Sequence, residues 1–162
     1  MWGRRGAMSS HPKFRETTQH STDDKGRLAL PPRFREVIRV SGDDVIMLSR
    51  MDRCLVGYTL PEWQVVEERI MSTPHKDESM RRWRRHFVGG ATELRVDGQG
   101  RITIPSYLRN YAGIVPKSEV VLVGVIDHFE LWSLAAHEQD IQRFEDDLNS
   151  GLLGEEIAKL GL

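Results

Sequence analysis

A nine-residue motif occurs twice in this chain of 162 residues. The run Asp-Asp-Lys-Gly-Arg-Leu-Ala-Leu-Pro at residues 23–31 returns as Asp-Gly-Gln-Gly-Arg-Ile-Thr-Ile-Pro at residues 97–105, with Asp, Gly, Arg and Pro at the same offsets. The register continues past the motif, and Arg35 aligns with Arg109. An internal repeat constrains the architecture before any local pattern does. We therefore expect one small supersecondary unit, used twice, that offers an arginine at the tip of the same turn in each copy.

The size of the repeat predicts that the two copies fold together. A segment of about 45 residues rarely folds alone without a disulfide, a metal or a partner. The chain has one cysteine, Cys54, which excludes an intrachain disulfide and a Cys-based metal cage. Its apolar neighbours favour a buried strand thiol over a reactive one. With no signal peptide and no apolar run long enough to cross a membrane, the sequence predicts a cytoplasmic protein.

Charge is distributed unevenly along the chain. Residues 1–39 carry a net charge of +5, residues 40–118 carry +2 and residues 119–162 carry −8, for a total of −1. A net charge near zero argues against an indiscriminate polycation. The asymmetry instead indicates a basic working face and an acidic far end.

Local patterns predict strand, turn, strand, helix, strand, strand in each copy. A proline opens each helix, a position where its missing N–H costs nothing. A helical insert separates the copies, broken and capped at Thr73-Pro74, and Ser133 is predicted to cap a C-terminal helix that stops near Gly151. The predicted segments are a disordered extension at 1–13, a first module at 14–62, the insert at 63–90, a second module at 91–134, and the C-terminal helix and tail at 135–162.

The repeated turn is the feature best suited to carry function. Strands hold the turn rigidly, and its arginine presents a fork of donors that suits a phosphate or a guanine edge. Two such turns around a pseudo-twofold axis would suit duplex DNA, where phosphates provide affinity and base edges provide selectivity. The predicted DNA-contacting residues are Arg15, Lys25, Arg27, Arg33, Arg35 and Arg101, and the predicted turn-structuring residues are Asp23, Gly26, Asp97 and Gly100.

Two other interpretations of the charged residues stay open. The Asp and Arg of each turn could simply pair and brace it, which is compatible with DNA contact if Asp orients Arg. The two tips are not expected to contribute equally, because Gln99 stands in the place of Lys25. The basic run at 81–86 is interpreted as a solvated helix with acidic partners, in which Trp83 and Phe87 form a packing pair, rather than as a second DNA contact.

No pattern in the chain indicates an enzyme. The six histidines lack metal-ligand spacing, and there is no phosphate-cradling glycine loop and no nucleophile elbow. The recurring aspartates face arginines, which lowers a carboxylate's pKa and makes it a poor general acid. We therefore predict no catalytic residue, no cofactor and no metal. A protein-interaction or assembly scaffold without direct DNA readout remains the alternative function.

Taken together, these motifs resemble a known family. The doubled turn resembles the SpoVT/AbrB-type swapped-hairpin module, and the chain from about Phe14 to Trp132 resembles the MraZ family. The matching segments include 25–28, 33–36, 60–63, 97–101, 108–109, 121–124 and 129–132.

The resemblance implies an α+β fold, a pseudo-twofold β-barrel of two swapped-hairpin repeats with a helical insert and a C-terminal helix. It also implies a nucleoid-associated transcriptional regulator that binds double-stranded DNA. Such a regulator would act at direct repeats in the promoter of the division and cell-wall gene cluster and would assemble into a ring homo-oligomer. The family's DNA-contacting turn maps onto Lys25 and Arg27 with Asp23, and onto Asp97 and Arg101.

Overall fold

A computed structural model describes residues 12–74 and 77–162. The predicted disordered extension at 1–13 lies outside these ranges except for its last two residues. The described chain mixes helices with antiparallel sheets, which confirms the α+β class. Its strands are β1 (Thr17–Ser21), β2 (Arg27–Ala29), β3 (Val45–Met51), β4 (Cys54–Thr59), β5 (Thr92–Arg95), β6 (Arg101–Thr103), β7 (Glu119–Gly124) and β8 (Phe129–Ser133). Its helices are α1 (Pro32–Val40), α2 (Leu60–Ser72), α3 (Glu78–Gly89), α4 (Ser106–Ala112), α5 (Leu134–Ser150) and α6 (Gly154–Ala158).

The two repeats exchange strands. The main sheet has six strands in the order β1-β7-β8-β4-β3-β5, and a separate two-stranded sheet pairs β2 with β6. Each repeat's first strand therefore pairs with the third strand of the other repeat, and the strand order is unchanged when the repeats are exchanged. Both sheets of the described chain are open. The prediction of a pseudo-twofold β-barrel was therefore wrong in this detail, because the strands do not close into a barrel.

Both faces of the six-stranded sheet are covered, because alternate residues of a strand point to opposite faces. One face packs against α1, α4 and the two-stranded sheet, around an aromatic trio of Phe14, Phe34 and Phe129. The other face packs against α2, α3 and the start of α5, where Trp63 and Phe87 are buried. The result is a three-layered fold in which the repeated turns and the helical insert lie on opposite sides of the main sheet.

Most element ends lie close to their predicted positions, with two differences. Residues 13–22 have the sequence pattern of one strand, but β1 begins only at Thr17. Glu16 adopts a positive φ of 77° that interrupts extended backbone, and before it a single bridge joins Phe14 to Ile126. Helix α3 is capped by Asp77, whose carboxylate accepts from the N–H of Ser79, rather than at 73–74. None of the helices in the described ranges is long and apolar enough to span a membrane.

Candidate nucleic-acid interface

Asp23 organises the first turn with both of its carboxylate oxygens. Oδ1 accepts hydrogen bonds from the N–H groups of Lys25 at 2.9 Å and Arg27 at 2.8 Å. Oδ2 accepts from Nε of Arg27 at 2.5 Å. The N–H of Asp23 donates to the Arg27 carbonyl at 3.0 Å, and Gly26 completes the loop at a φ of 74°. A three-residue loop that ends in a left-handed residue is a favoured hairpin geometry, and glycine adopts that conformation without steric penalty.

The second turn repeats this geometry. Oδ1 of Asp97 accepts from the N–H groups of Gln99 and Arg101, both at 2.9 Å, and Oδ2 accepts from Nε of Arg101 at 3.0 Å. Gly100 has a φ of 75°. The Asp and Arg of each turn therefore do brace it, and they do so in a way that fixes the direction of the arginine.

The aspartates hold their charge over a wide pH range. Partial desolvation tends to raise the pKa of Asp23, but hydrogen bonds from Arg27 and from the Lys25 N–H outweigh it and lower the pKa to about 2. The backbone hydrogen bond from Arg101 is the main cause that lowers the pKa of Asp97. Both carboxylates are thus ionised at neutral pH and remain paired with their arginines.

The two braced arginines lie on one face of the two-stranded sheet. Leu28 and Ile102, which pair across the strands, are fully buried beneath it. Arg27 pairs with Thr103 in the register, and Arg101 pairs with Ala29, so their side chains project from the opposite, outward face. We call Lys25, Arg27, Arg101 and the helix arginines Arg35 and Arg109 the basic turn surface.

Helix arginines reach the turn of the opposite repeat. Because β2 and β6 run antiparallel, the end of β2 and the start of α1 lie beside the second turn. A Cβ built on Gly100 would lie 2.4 Å from Cδ of Arg35, and one built on Gly26 would lie 2.8 Å from Nε of Arg109. Arg35, predicted as a DNA contact, follows the first turn in sequence but lies against the second.

Arg109 is not among the DNA-contacting residues predicted from the sequence, although it lies at the first turn. Its Nε donates to the Ile104 carbonyl at 3.0 Å, which holds the side chain across the first turn. A signal was present, since the repeat aligns Arg109 with Arg35. Treating the repeats as equivalent would have added Arg109 to the candidates as soon as Arg35 was chosen.

The surroundings of the two turns differ in charge. The carbonyl of Asp23 accepts from the N–H of Lys117 at 3.1 Å, which brings an exposed lysine beside the first turn. At the second turn, the carbonyl of Asp44 accepts from the N–H of Val96, the residue before Asp97, at 2.8 Å, so an exposed acidic residue lies near this turn. The first turn is therefore the more positive of the two.

Two predicted DNA contacts lie away from this surface. Strand β1, about 13 Å long at 3.3 Å per residue, separates Arg15 from the first turn. Arg33 donates to the carboxylate of Glu16 at 2.6 Å. This ion pair holds the Arg33 side chain near Arg15 and away from the first turn. A DNA contact by these two residues stays a prediction, and it would require a surface distinct from the turns.

The aromatic pair of α3 and the single cysteine have structural roles. Trp83 and Phe87 stack with their ring centroids 4.9 Å apart, which confirms the predicted packing pair, and Arg82 pairs with Glu78 at 3.4 Å. Cys54 is fully buried, and burial raises the pKa of its thiol far above the ordinary value. Across residues 12–74 and 77–162, no group of three or more potential ligand side chains is arranged to hold a metal ion.

Comparison with known proteins identifies the family. The sequence profile of the MraZ protein family, which is described as antitoxin-like, matches residues 13–86 and again residues 87–151. The chain is 45% identical to a protein of Desulforapulum autotrophicum over 92% of this chain and 99% of the relative. It is 42% identical to one of Desulfosudis oleivorans over the same shares, and 43% identical to one of Halorhodospira halophila over 78% and 83%. All three relatives are named transcriptional regulator MraZ. The chain belongs to the MraZ family.

Proposed function

We propose that this protein is a DNA-binding transcriptional regulator that contacts duplex DNA through the basic turn surface. The observation that carries the proposal is the duplicated Asp–Arg turn, which sets two oriented arginines on one outward face. The relatives named as transcriptional regulators support the same class of function. The two modules would act as one pseudo-twofold DNA-binding unit.

The bracing of each arginine suits this role. The Asp carboxylate engages Nε, and no hydrogen-bond partner of the Arg27 Nη groups occurs within the described part of the chain. Those two groups can donate to a phosphate or, as a fork, to a guanine edge. Because the side chain is already held in one direction, binding DNA would require less loss of conformational entropy.

We propose that the first turn dominates. Lys25, Arg27, Arg109 and Lys117 surround it, and its acidic residues are Asp23 and Asp24. The second turn has Arg35 and Arg101, with Gln99 at its tip and Asp44 nearby. Since phosphate contacts supply most of the sequence-independent affinity, the first turn would contribute more binding energy.

Weak contacts at each turn would become effective through assembly. We propose a ring homo-oligomer that engages direct repeats in the promoter of the division and cell-wall gene cluster, which places the protein in the cytoplasm at the nucleoid. Linking several sites can raise avidity about 10²–10⁴-fold without new contacts. A duplex with several repeats should therefore bind far more tightly than a duplex with one.

The test is fluorescence-anisotropy binding to a duplex from the region upstream of the protein's own gene, measured across a salt series. Arg27→Ala should weaken binding to a one-repeat duplex by about 10- to 100-fold, as expected for one good contact, and leave the fold and oligomer mass unchanged. The matched control is Arg69→Ala, because Arg69 is an exposed arginine of α2 on the other side of the main sheet. Equal binding by Arg27→Ala and wild type would contradict the site.

An assembly scaffold is the second candidate function. It is favoured by the apolar residues that α5 leaves exposed. A scaffold should show no duplex binding even at low salt while its oligomer stays intact. Tight binding that weakens steeply with salt would exclude a scaffold without DNA readout.

A further inference from the structure

Helix α5 leaves the body of the protein. In its first turn, Leu134 and Ala136 join the apolar cluster on the sheet, and His137 contacts the ring of Trp132. Further along, Asp140 and Arg143 line a surface cavity beside Trp132. The helix has 17 residues, none of them buried, and so extends about 25 Å at 1.5 Å per residue. The apolar residues of its distal half belong to neither apolar core cluster of the described chain.

An apolar stripe runs along that half. Ile141, Phe144 and Leu148 share one face at helical spacing and are 47%, 49% and 44% exposed. At 100° per residue, acidic residues flank the stripe on both sides: Glu138 and Glu145 form one row, and Asp140 and Asp147 form the other. An apolar stripe between two carboxylate rows is suited to a basic partner with an apolar centre. The same charge disfavours DNA and an anionic lipid surface.

Helix α3 carries a surface with that description. Its C-terminal end has a shallow depression lined by Val88, Gly89 and three arginines, Arg81, Arg84 and Arg85. Arg84 also extends over Met71 of α2, which is 70% exposed. The depression therefore offers an apolar floor, a thioether beside it and guanidinium groups at its rim.

These two surfaces lie at different places on the same side of the sheet. Helix α5 packs on β7 and β8, whereas α3 packs on β3, and α2 packs on β3 and β4 between them. The stripe of α5 is exposed, so it does not cover the α3 depression of its own chain. A second copy of the chain can supply the basic partner for the stripe of α5 and the acidic, apolar partner for the depression of α3.

We infer that the apolar stripe of α5 docks into the arginine-rimmed depression of α3 on a second copy of the chain. Such a contact joins two different surfaces and is therefore head-to-tail, an arrangement that closes into a ring when the rotation between subunits allows it. The inference rests on the proposed function only for the existence of an oligomer. It does not involve the turns that would contact DNA.

The test measures oligomer mass by sedimentation and light scattering over a concentration series. Phe144→Asp and Glu145→Arg should each weaken self-association at least tenfold, and so should Arg85→Glu. The matched control is Asp146→Arg, because Asp146 is the next residue along but projects from the opposite side of α5. Combining Glu145→Arg with Arg85→Glu should recover most of the lost mass, since the charge pairing is restored in reverse.

Three results would overturn the inference. The first is a wild-type chain that is monomeric, and the second is an oligomer that survives both Phe144→Asp and Glu145→Arg. The third is a Glu145→Arg, Arg85→Glu double variant that stays dissociated although circular dichroism shows that each single variant folds. Binding to a one-repeat duplex is measured on the same samples. A variant that loses oligomer mass but still binds the one-repeat duplex supports the inference. If the wild-type protein does not bind DNA at all, that result counts against the proposed function and not against the inferred interface.

Discussion

Arg109 lies so close to Gly26 of the opposite repeat that a Cβ on this glycine would be 2.8 Å from the arginine Nε. The same relationship joins Arg35 to Gly100, where a Cβ would be 2.7 Å from one terminal nitrogen. Each turn therefore requires glycine for two reasons: its φ is positive, and an arginine occupies the space of a side chain. This coupling connects the conformation of each turn to a basic residue of the other repeat.

Gly26→Ala should consequently affect stability and DNA binding together. A left-handed conformation costs a non-glycine residue about 1–2 kcal/mol, so the free energy of unfolding should fall by about that amount. The added methyl group should also displace Arg109 and weaken binding to a one-repeat duplex several-fold. Urea unfolding and fluorescence anisotropy measure the two effects.

The control for this prediction is Gly151→Ala. Gly151 has a φ of 75°, close to the 74° of Gly26, but no atom of the described residues lies within 4 Å of the position of its Cβ. It should lose a similar free energy of unfolding and keep its affinity for the one-repeat duplex. If Gly26→Ala retains full DNA affinity, the contact with Arg109 has no part in binding.

Much of the fold could be predicted because its determinants are local. Period-two and helical patterns, a proline at the start of the helix in each repeat and a glycine near several helix ends specify the elements to within a few residues. The cap at Ser133 was predicted from one residue, and its Oγ accepts from the N–H of Ala136 at 3.1 Å. The turns followed from Asp, Gly and Arg at fixed spacing.

The arrangement of the site could not be predicted in the same way. Which strand pairs with β2 depends on the exchange between repeats, and nothing within residues 27–29 specifies β6 as the partner. That pairing alone decides that Arg35 meets the second turn and Arg109 the first. Arg33 is directed away by its ion pair with Glu16, a contact between residues 17 positions apart. Adjacency in sequence was therefore a poor guide to adjacency on the surface.

The two turns should differ in their contribution to DNA binding. Arg101→Ala should weaken binding less than Arg27→Ala, because the second turn has Gln99 at its tip and Asp44 beside it. Gln99→Lys should strengthen binding and make the dependence on salt steeper, by about one unit of slope for each added phosphate contact. Equal losses for the two alanine variants in a salt-series titration would show that the turns are equivalent.

The Asp23–Arg27 pair should make stability depend on acid pH. The pKa of Asp23 is about 2 in the folded protein, below its ordinary value of 3.8, so the carboxylate stabilises the fold above pH 4. This contribution should decline as the pH falls from about 4 to about 2 and the carboxylate is protonated.

Asp23→Asn tests this pH dependence. The variant retains an oxygen that can accept the backbone hydrogen bonds but loses the charge that faces Arg27. In urea unfolding at a series of pH values, it should be less stable than wild type at pH 7, and the difference should shrink between pH 4 and pH 2. A difference that stays constant over this range would exclude the ion pair as its cause.

The aromatic ring above Gly57 should prevent the core from accepting a larger residue at this position. Gly57 of β4 pairs with Phe129 of β8, and a Cβ at this glycine would lie 2.2 Å from the Cζ atom of the ring. The ring also packs against Phe14 and Phe34, with centroids 5.2 and 5.4 Å away, so it has little room to move. Gly57→Ala should therefore lower the free energy of unfolding by about 1–3 kcal/mol, the usual effect of overpacking.

Two further variants isolate this clash. Gly98→Ala is the control and should change the free energy of unfolding little, because within the described part of the chain nothing lies within 4 Å of its Cβ position. Phe129→Leu removes part of the ring that the new methyl group would meet. In a double-mutant cycle measured by urea unfolding, Gly57→Ala should cost less in the Phe129→Leu background than in wild type. Additive effects would mean that the backbone of β4, and not the ring, resists the substitution.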